Sequence, residues 1–167
     1  SNGSNTTAAA GVAKLTCSGS LKNKNAVVLA GTGPVGQRAA AMLAQEGAHV
    51  SITSRSFDKA QKACQAINTR FNVTVNPIEA TDNIARAKAI AQTHIVFAAG
   101  AANIQLLEEA HWKDNPTLEL IADANASPPI GVGGTDMMDR GLNRHGKIIW
   151  GSIGFGTLKL ALHKACI

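Results

Sequence analysis

The sequence is short of charge and nearly empty of aromatic rings. Charged residues make up 16% and aromatics 4%, and there is no tyrosine. No apolar run approaches the roughly 20 residues of a membrane span, and no charged start precedes an apolar centre as in a signal peptide. The sixteen Lys and Arg never stand side by side, whereas a nucleic-acid footprint is a clustered stripe. The net charge of +5 therefore reads as a solvated surface with one or two cations serving an anionic ligand, and neither nucleic acid nor a membrane is expected as a partner. Cys17, Cys64 and Cys166 are odd in number and far apart, which fits no disulfide framework and suits a reducing cytoplasm. The five histidines show no metal-ligand spacing. No G-x-S-x-G elbow, Ser/His/Asp motif, paired carboxylates or G-x-x-x-x-G-K-[ST] loop occurs, so no catalytic base or nucleophile is assigned.

What remains is 167 residues, 45% of them hydrophobic, with 16 glycines. That is one domain with a small-residue core. Ser1 to Asn5 offers N-cap residues for a helix over Thr6–Leu15. Strands are expected at Ala26–Ala30, His49–Thr53, Val73–Val75, His94–Ala98, Leu118–Ala122 and Lys147–Trp150. Helices are expected after Gly36 to about Glu46, after Ser56 to Phe71, after Thr81 or Asp82 to about Gln92, over Ile104–Ala110, and around Leu158, Ala161, Leu162 and Ala165. Ala126 to Gly141 reads as one long irregular loop, the kind that tends to carry function. Alternating strands and helices imply an α/β fold, a Rossmann-type doubly wound parallel sheet in three layers with about six strands.

The chemistry gathers at the expected carboxyl edge of that sheet. Gly31-Thr32-Gly33-Pro34-Val35-Gly36 follows a strand and opens a helix. Gly31 permits the tight turn, Gly33 a close approach of backbone to a pyrophosphate, and Gly36 close packing of helix on strand. Free N–H groups and the helix dipole then favour an anion, while Pro34 presets the helical angle. The second strand ends in Ser54-Arg55-Ser56, with Lys59 one turn on and no carboxylate where an NAD site usually has one. Arg55 can grip a 2′-phosphate with two N–H groups, so NADP is expected over NAD. Ala99-Gly100-Ala101 offers no side chain to obstruct a nicotinamide ribose. Asp123 and Asn125 stand at the end of the fifth strand, either facing the nicotinamide or substrate or forming Asx turns. Ile153 and Gly154, in the glycine-rich turn after the sixth strand, add backbone donors near the same edge.

The chain resembles the NADP-dependent methylene-tetrahydromethanopterin/methylene-tetrahydrofolate dehydrogenases of methylotrophic bacteria. The matching stretches are 1–12, 26–36, 58–61, 125–134 and 162–167. The layout is more distantly similar to the cofactor domains of bifunctional methylene-tetrahydrofolate dehydrogenases and shikimate dehydrogenases. The resemblance implies an oxidoreductase of one-carbon metabolism, with residues 1–25 as a linking helix and turn and 26–167 as the NADP-binding domain. It also implies that an N-terminal substrate domain and a C-terminal stretch lie outside this chain, which starts without Met and stops inside a helix-like pattern. The tetrahydropterin or folate would bind between the two domains of a homo-oligomeric enzyme. The piece alone is expected to be inactive and to self-associate through surfaces meant for the missing parts. The resemblance carries a cofactor role onto Gly31–Gly36 and Arg55 but transfers no catalytic base. The chemistry agrees, because hydride leaves a carbon flanked by two nitrogens and no hydroxyl proton must go with it. Two alternatives stand beside this reading: a shikimate-type NADP alcohol dehydrogenase, which needs a base, and a non-catalytic dinucleotide-binding module.

Overall fold

The computed structural model describes residues 2–156. Its elements are α1 (Asn2–Cys17), β1 (Asn25–Leu29), α2 (Pro34–Gln45), β2 (His49–Ser54), α3 (Phe57–Phe71), β3 (Val75–Glu79), α4 (Asn83–Ala89), β4 (Ile95–Ala98), a single 3-10 turn (Glu109–His111), β5 (Leu120–Asp123), β6 (Arg140–Arg144) and β7 (Lys147–Trp150). They form one seven-stranded sheet in the order β3-β2-β1-β4-β5-β7-β6. Six strands run parallel, and β6 alone is antiparallel, beside β7. The chain moves outward from β1 to β3 and then returns to the other side of β1. This is the doubly wound Rossmann arrangement, whose ligand crevice opens at the carboxyl ends where the order reverses, between β1 and β4.

Period-two alternation divides the core in two. Ala26, Val28, Ile95, Phe97, Leu120 and Ala122 face α1, α2 and α3. Val27, Leu29, Val96, Ala98 and Ile121 face the opposite way, onto Ile90, Leu107 and Trp112. A strand buried on both faces reads as a continuous apolar run, and these strands do. On α1, Ala8, Val12 and Leu15 join the first cluster. A Cβ on Gly11 would stand 2.7 Å from the Phe97 ring, so only glycine lets α1 approach the sheet this closely. Burial of Cys64 in the α3 interface pushes its thiol up to about 11, which fits packing and not reactivity.

Several expected boundaries shift. The first helix begins at Asn2, so Asn2 to Asn5, expected to cap it, lie within it. There Thr7 Oγ1 donates to the Gly3 carbonyl at 2.8 Å. The third strand sits at Val75–Glu79 and not at Val73–Val75. Asn72 adopts a left-handed conformation to end α3, and the Asn68 side chain, through both Oδ1 and Nδ2, grips the backbone of Val75. Pro77 is tolerated because β3 is an edge strand. The α4 helix stops at Ala89, a turn before Gln92.

Two corrections are larger. Ile104–Ala110 is not a helix. Leu106 and Leu107 both donate to the Gly131 carbonyl at 2.8 and 3.1 Å, and Leu107 forms a parallel bridge with Val132. Leu106 and Leu107 are both buried, and their N–H groups are spent across the chain on Gly131 where a helix would turn them to its own carbonyls. The long loop also ends earlier than expected, because Arg140–Arg144 supplies a seventh strand. His145 (φ 53°) and Gly146 (φ 83°) turn it back into β7. Two successive residues with positive φ are the signature of a tight hairpin turn matched to strand twist. The mostly exposed β6, with Arg140 in solvent, suits an edge strand. The helix expected around Leu158 lies outside the described residues.

Candidate functional site

The turn after β1 is shaped by the absence of side chains. Ala30 takes a left-handed conformation (φ 54°), and Thr53 clamps it. The Ala30 N–H donates to Thr53 Oγ1 and the Gly31 N–H to the Thr53 carbonyl, both at 3.0 Å. A Cβ on Gly31 would meet Ile52 at 2.7 Å, and one on Gly36 would meet the Gly31 backbone at 2.6 Å. Gly33 differs, since a Cβ there would face open space. Gly33 is also the N-cap of α2, where no side chain accepts from the first turn and Pro34 takes the first position. Strand, turn and helix thus close tightly on one another, while the helix start stays open toward the carboxyl edge.

Beside this turn lies a cavity of about 760 Å³. Ala30 and Thr32 border it on the glycine turn, Thr53 to Ser56 and Lys59 on the β2–α3 side, and Ala80, Thr81 and Arg86 on the β3–α4 side. Gly100, Ala101, Ile104 and Leu106 close it beyond β4. No aspartate or glutamate is among its lining residues; its titratable groups are Arg55, Lys59 and Arg86. Ser56 caps α3, its Oγ accepting from the Lys59 N–H at 3.3 Å, and this cap orients the turn from which Arg55 projects, exposed to solvent.

The structure therefore brings Thr32, Ser54, Arg55, Ser56, Lys59, Gly100 and Ala101 to one cavity. Gly31, Gly33, Pro34, Val35 and Gly36 form the turn and helix start beside it, and Ala99 leads into Gly100. Asp123 and Asn125 are occupied differently. Asp123 is 1% exposed, and its two oxygens accept the N–H groups of Asn125 and Val132, each at 2.9 Å. Burial pushes its carboxyl above the usual range, although the backbone N–H groups of Asn125, Val132 and Gly131 pull the other way. The Asn125 amide donates to the Ala101 carbonyl and accepts from the Ser127 N–H. These two residues pin the loops behind the Gly100–Ala101 turn. The N–H groups of Ile153 and Gly154 are likewise spent, both donating to the Met137 carbonyl.

Sequence reasoning passed over Arg86, Thr53 and Thr81. Arg86 sits in an alanine-rich helix where its charge reads as a solvent face, yet it is 9% exposed. Its proximity to the cavity depends on the Leu106 carbonyl, which accepts from Nε at 2.8 Å only because Ile104–Ala110 is not helical.

Comparison with known proteins agrees with this geometry. The family model described as shikimate / quinate 5-dehydrogenase matches residues 12–125. The bifunctional protein MdtA of Methylorubrum extorquens is 53% identical over 100% of this chain and 59% of its own length. An NAD(P)-dependent methylenetetrahydromethanopterin dehydrogenase of the same organism is 32% identical over 81% of this chain and 48% of its own. The chain thus spans about half the length of these curated relatives. The shikimate 5-dehydrogenase of Listeria monocytogenes shares the fold, with a TM-score of 0.64 at 16% identity over 95% of this chain and 56% of that one. With its glycine turn, its doubly wound sheet and a matching model over most of its length, the chain belongs to the shikimate/quinate 5-dehydrogenase family.

Proposed function

We propose that this chain is the NADP-binding half of a dehydrogenase that oxidises a methylene-tetrahydromethanopterin or methylene-tetrahydrofolate to its methenyl form in the cytoplasm. The observation that carries the reading is the cavity wall after β2. It presents Arg55, Ser54, Ser56 and Lys59 and no carboxylate. Ribose hydroxyls of NAD call for an acceptor at this strand end, whereas a 2′-phosphate calls for donors and positive charge. The open approach at Gly33 and the uncapped start of α2 fit the pyrophosphate of the same ligand. The two curated relatives, one named for methylenetetrahydromethanopterin oxidation with NAD(P), support the substrate class.

A bound nicotinamide supplies a hydride acceptor at its C4 carbon. The chain's own residues bind and orient. Gly31–Gly36 seats the pyrophosphate, Arg55 and Lys59 hold the adenosine end, and Gly100–Ala101 keeps the passage toward the switch point clear. No group able to take a hydroxyl proton lines the cavity at that end, and Asp123 is spent on backbone amides. A shikimate-type alcohol oxidation would therefore need its base from outside this chain. In the whole protein the tetrahydropterin and a second copy of the chain are the expected partners.

Thermal-shift and calorimetric titration of this chain with NADP and NAD tests the reading. NADP should bind at least tenfold tighter. Arg55→Ala should weaken NADP tenfold or more and leave NAD within about twofold, the size expected for one charge-assisted phosphate contact. Failure of both nucleotides to bind sinks the cofactor assignment, and equal losses for both remove Arg55 from the 2′-phosphate.

A further inference from the structure

The cavity holds a cation that makes no ion pair among the described residues, with Asp82 offsetting its charge only in part. Arg86 lies in the second turn of α4 and is 9% exposed. Its Nε donates to the Leu106 carbonyl at 2.8 Å, and Nη2 donates to Asn83 Oδ1. Both acceptors are neutral, and among the described residues Arg86 makes no ion pair. Asp82 is the nearby acid, but its carboxylate is given to the N-cap of α4, accepting from the Ala85 N–H at 2.8 Å. The contrast with Asp139 is instructive. That buried carboxylate is gripped by both Nε and Nη2 of Arg144. A buried charge without a partner is costly, so one that is held in place and turned toward a cavity is provision for a ligand.

The opposite wall makes the case stronger. Arg55 borders the same cavity from the end of β2, so two guanidinium groups repel each other across it. Burial lowers the guanidinium of Arg86 from its ordinary value; Asp82 opposes this, and Arg55 adds a smaller lowering. A group carrying about two negative charges relieves both penalties together.

We propose that Arg86 is a fixed cation of the 2′-phosphate subsite, set opposite the exposed Arg55 and Lys59, and that it determines preference for 2′-phosphorylated adenosine. The inference rests on the NADP reading above and extends it to a residue from a different element. Arg55 is exposed and must be ordered by the ligand. Arg86 is already fixed by two hydrogen bonds, so its contribution comes with little loss of side-chain freedom.

The test uses adenosine 2′,5′-bisphosphate and 5′-AMP as probes, which differ only in the 2′-phosphate. The unaltered chain should bind the bisphosphate at least tenfold more tightly. Arg86→Gln should reduce bisphosphate affinity tenfold or more while leaving 5′-AMP within twofold. Parallel losses for both probes, or no loss, would overturn the assignment. An independent measurement on the unaltered chain covers the case in which the variant does not fold. The Arg86 Nε–H, shielded by its bond to Leu106, should shift in NMR spectra with the bisphosphate and stay in place with 5′-AMP; an unmoved signal overturns the proposal. Two failures remain distinguishable. If the unaltered chain binds neither probe, the cofactor reading falls and takes Arg86 with it. If its 2′-phosphate preference survives Arg86→Gln, Arg86 alone is removed.

Discussion

The two halves of the sheet are held together by different means. On the β1–β2–β3 side, close contact comes from missing side chains, with Gly31 and Gly36 letting turn, strand and helix meet backbone to backbone. On the β4–β5–β7–β6 side, loops are tied by buried and half-buried polar side chains. Asp123 takes the N–H groups of Asn125 and Val132, Asn115 takes those of Thr117 and Leu118, Trp112 Nε1 donates to the Gly133 carbonyl, and Lys147 Nζ to that of Asn115. The first solution leaves polar groups free for a ligand, whereas the second consumes them. This is why the cations of the cavity cluster beside the glycine turn, while the polar residues after β5 face inward to their own backbone.

Asp123→Ala should break the second half most severely. It strands two buried N–H groups, each worth roughly 1–3 kcal/mol when left unpaired, so a loss of about 3 kcal/mol is expected in urea unfolding. The penalty should depend on pH in a definite direction. The folded carboxyl titrates above its unfolded value, so the folded state binds the proton more tightly. The contribution of Asp123 is thus largest below the ordinary carboxylate range and declines as pH rises through the raised value. The gap between wild type and Asp123→Ala should narrow over that window. A gap that widens would mean that the amides outweigh burial.

Gly36→Ala tests the first half by the opposite operation, adding an atom where the structure has none. The new Cβ would lie 2.6 Å from the Gly31 Cα and 2.9 Å from its carbonyl carbon and oxygen, with no flexible side chain to yield. Overpacking of this kind costs about 2 kcal/mol, and nucleotide binding should fall at least tenfold because the turn itself must open. Asp123→Ala should leave affinity far less changed in the fraction that folds. Equal effects of the two substitutions on binding would erase the distinction between the halves.

The same division explains what was legible in the sequence. The glycine turn, the Ser56 cap and the cationic strand end are local signals, and each lies where short-range chemistry puts it. The apolar runs at Val27–Leu29 and Ile95–Ala98 also declare burial on both faces. Ile104–Ala110 misled because its helical pattern is local, whereas the Gly131 carbonyl and Arg86 that oppose it are distant in sequence. The hairpin of β6 escaped because its strand is polar and exposed, although His145-Gly146 is a readable turn signal. Arg86 was missed for the same reason as the false helix: one carbonyl, that of Leu106, links them.

The smallest expected effect falls where stability and binding share one side chain. Ser56 Oγ accepts from the Lys59 N–H to cap α3 and also borders the cavity. Ser56→Ala should cost about 1 kcal/mol of stability through the lost cap. Asp82→Ala removes the corresponding cap of α4, where Asp82 Oδ1 holds the Ala85 N–H at 2.8 Å, and should cost a similar amount. The two differ in binding. Ser56 is a hydroxyl donor beside Arg55, so its loss should weaken NADP a few-fold and leave NAD nearly unchanged. Asp82→Ala removes the acid that partly offsets the positive charge of Arg86 and should leave NADP binding unchanged or slightly tighter. Matched melts with paired titrations of the two variants would show equal stability losses and opposite effects on NADP. A parallel weakening of NADP would mean that cap loss disturbs the cavity wall as a whole, and that the hydroxyl of Ser56 has no separate part in the site.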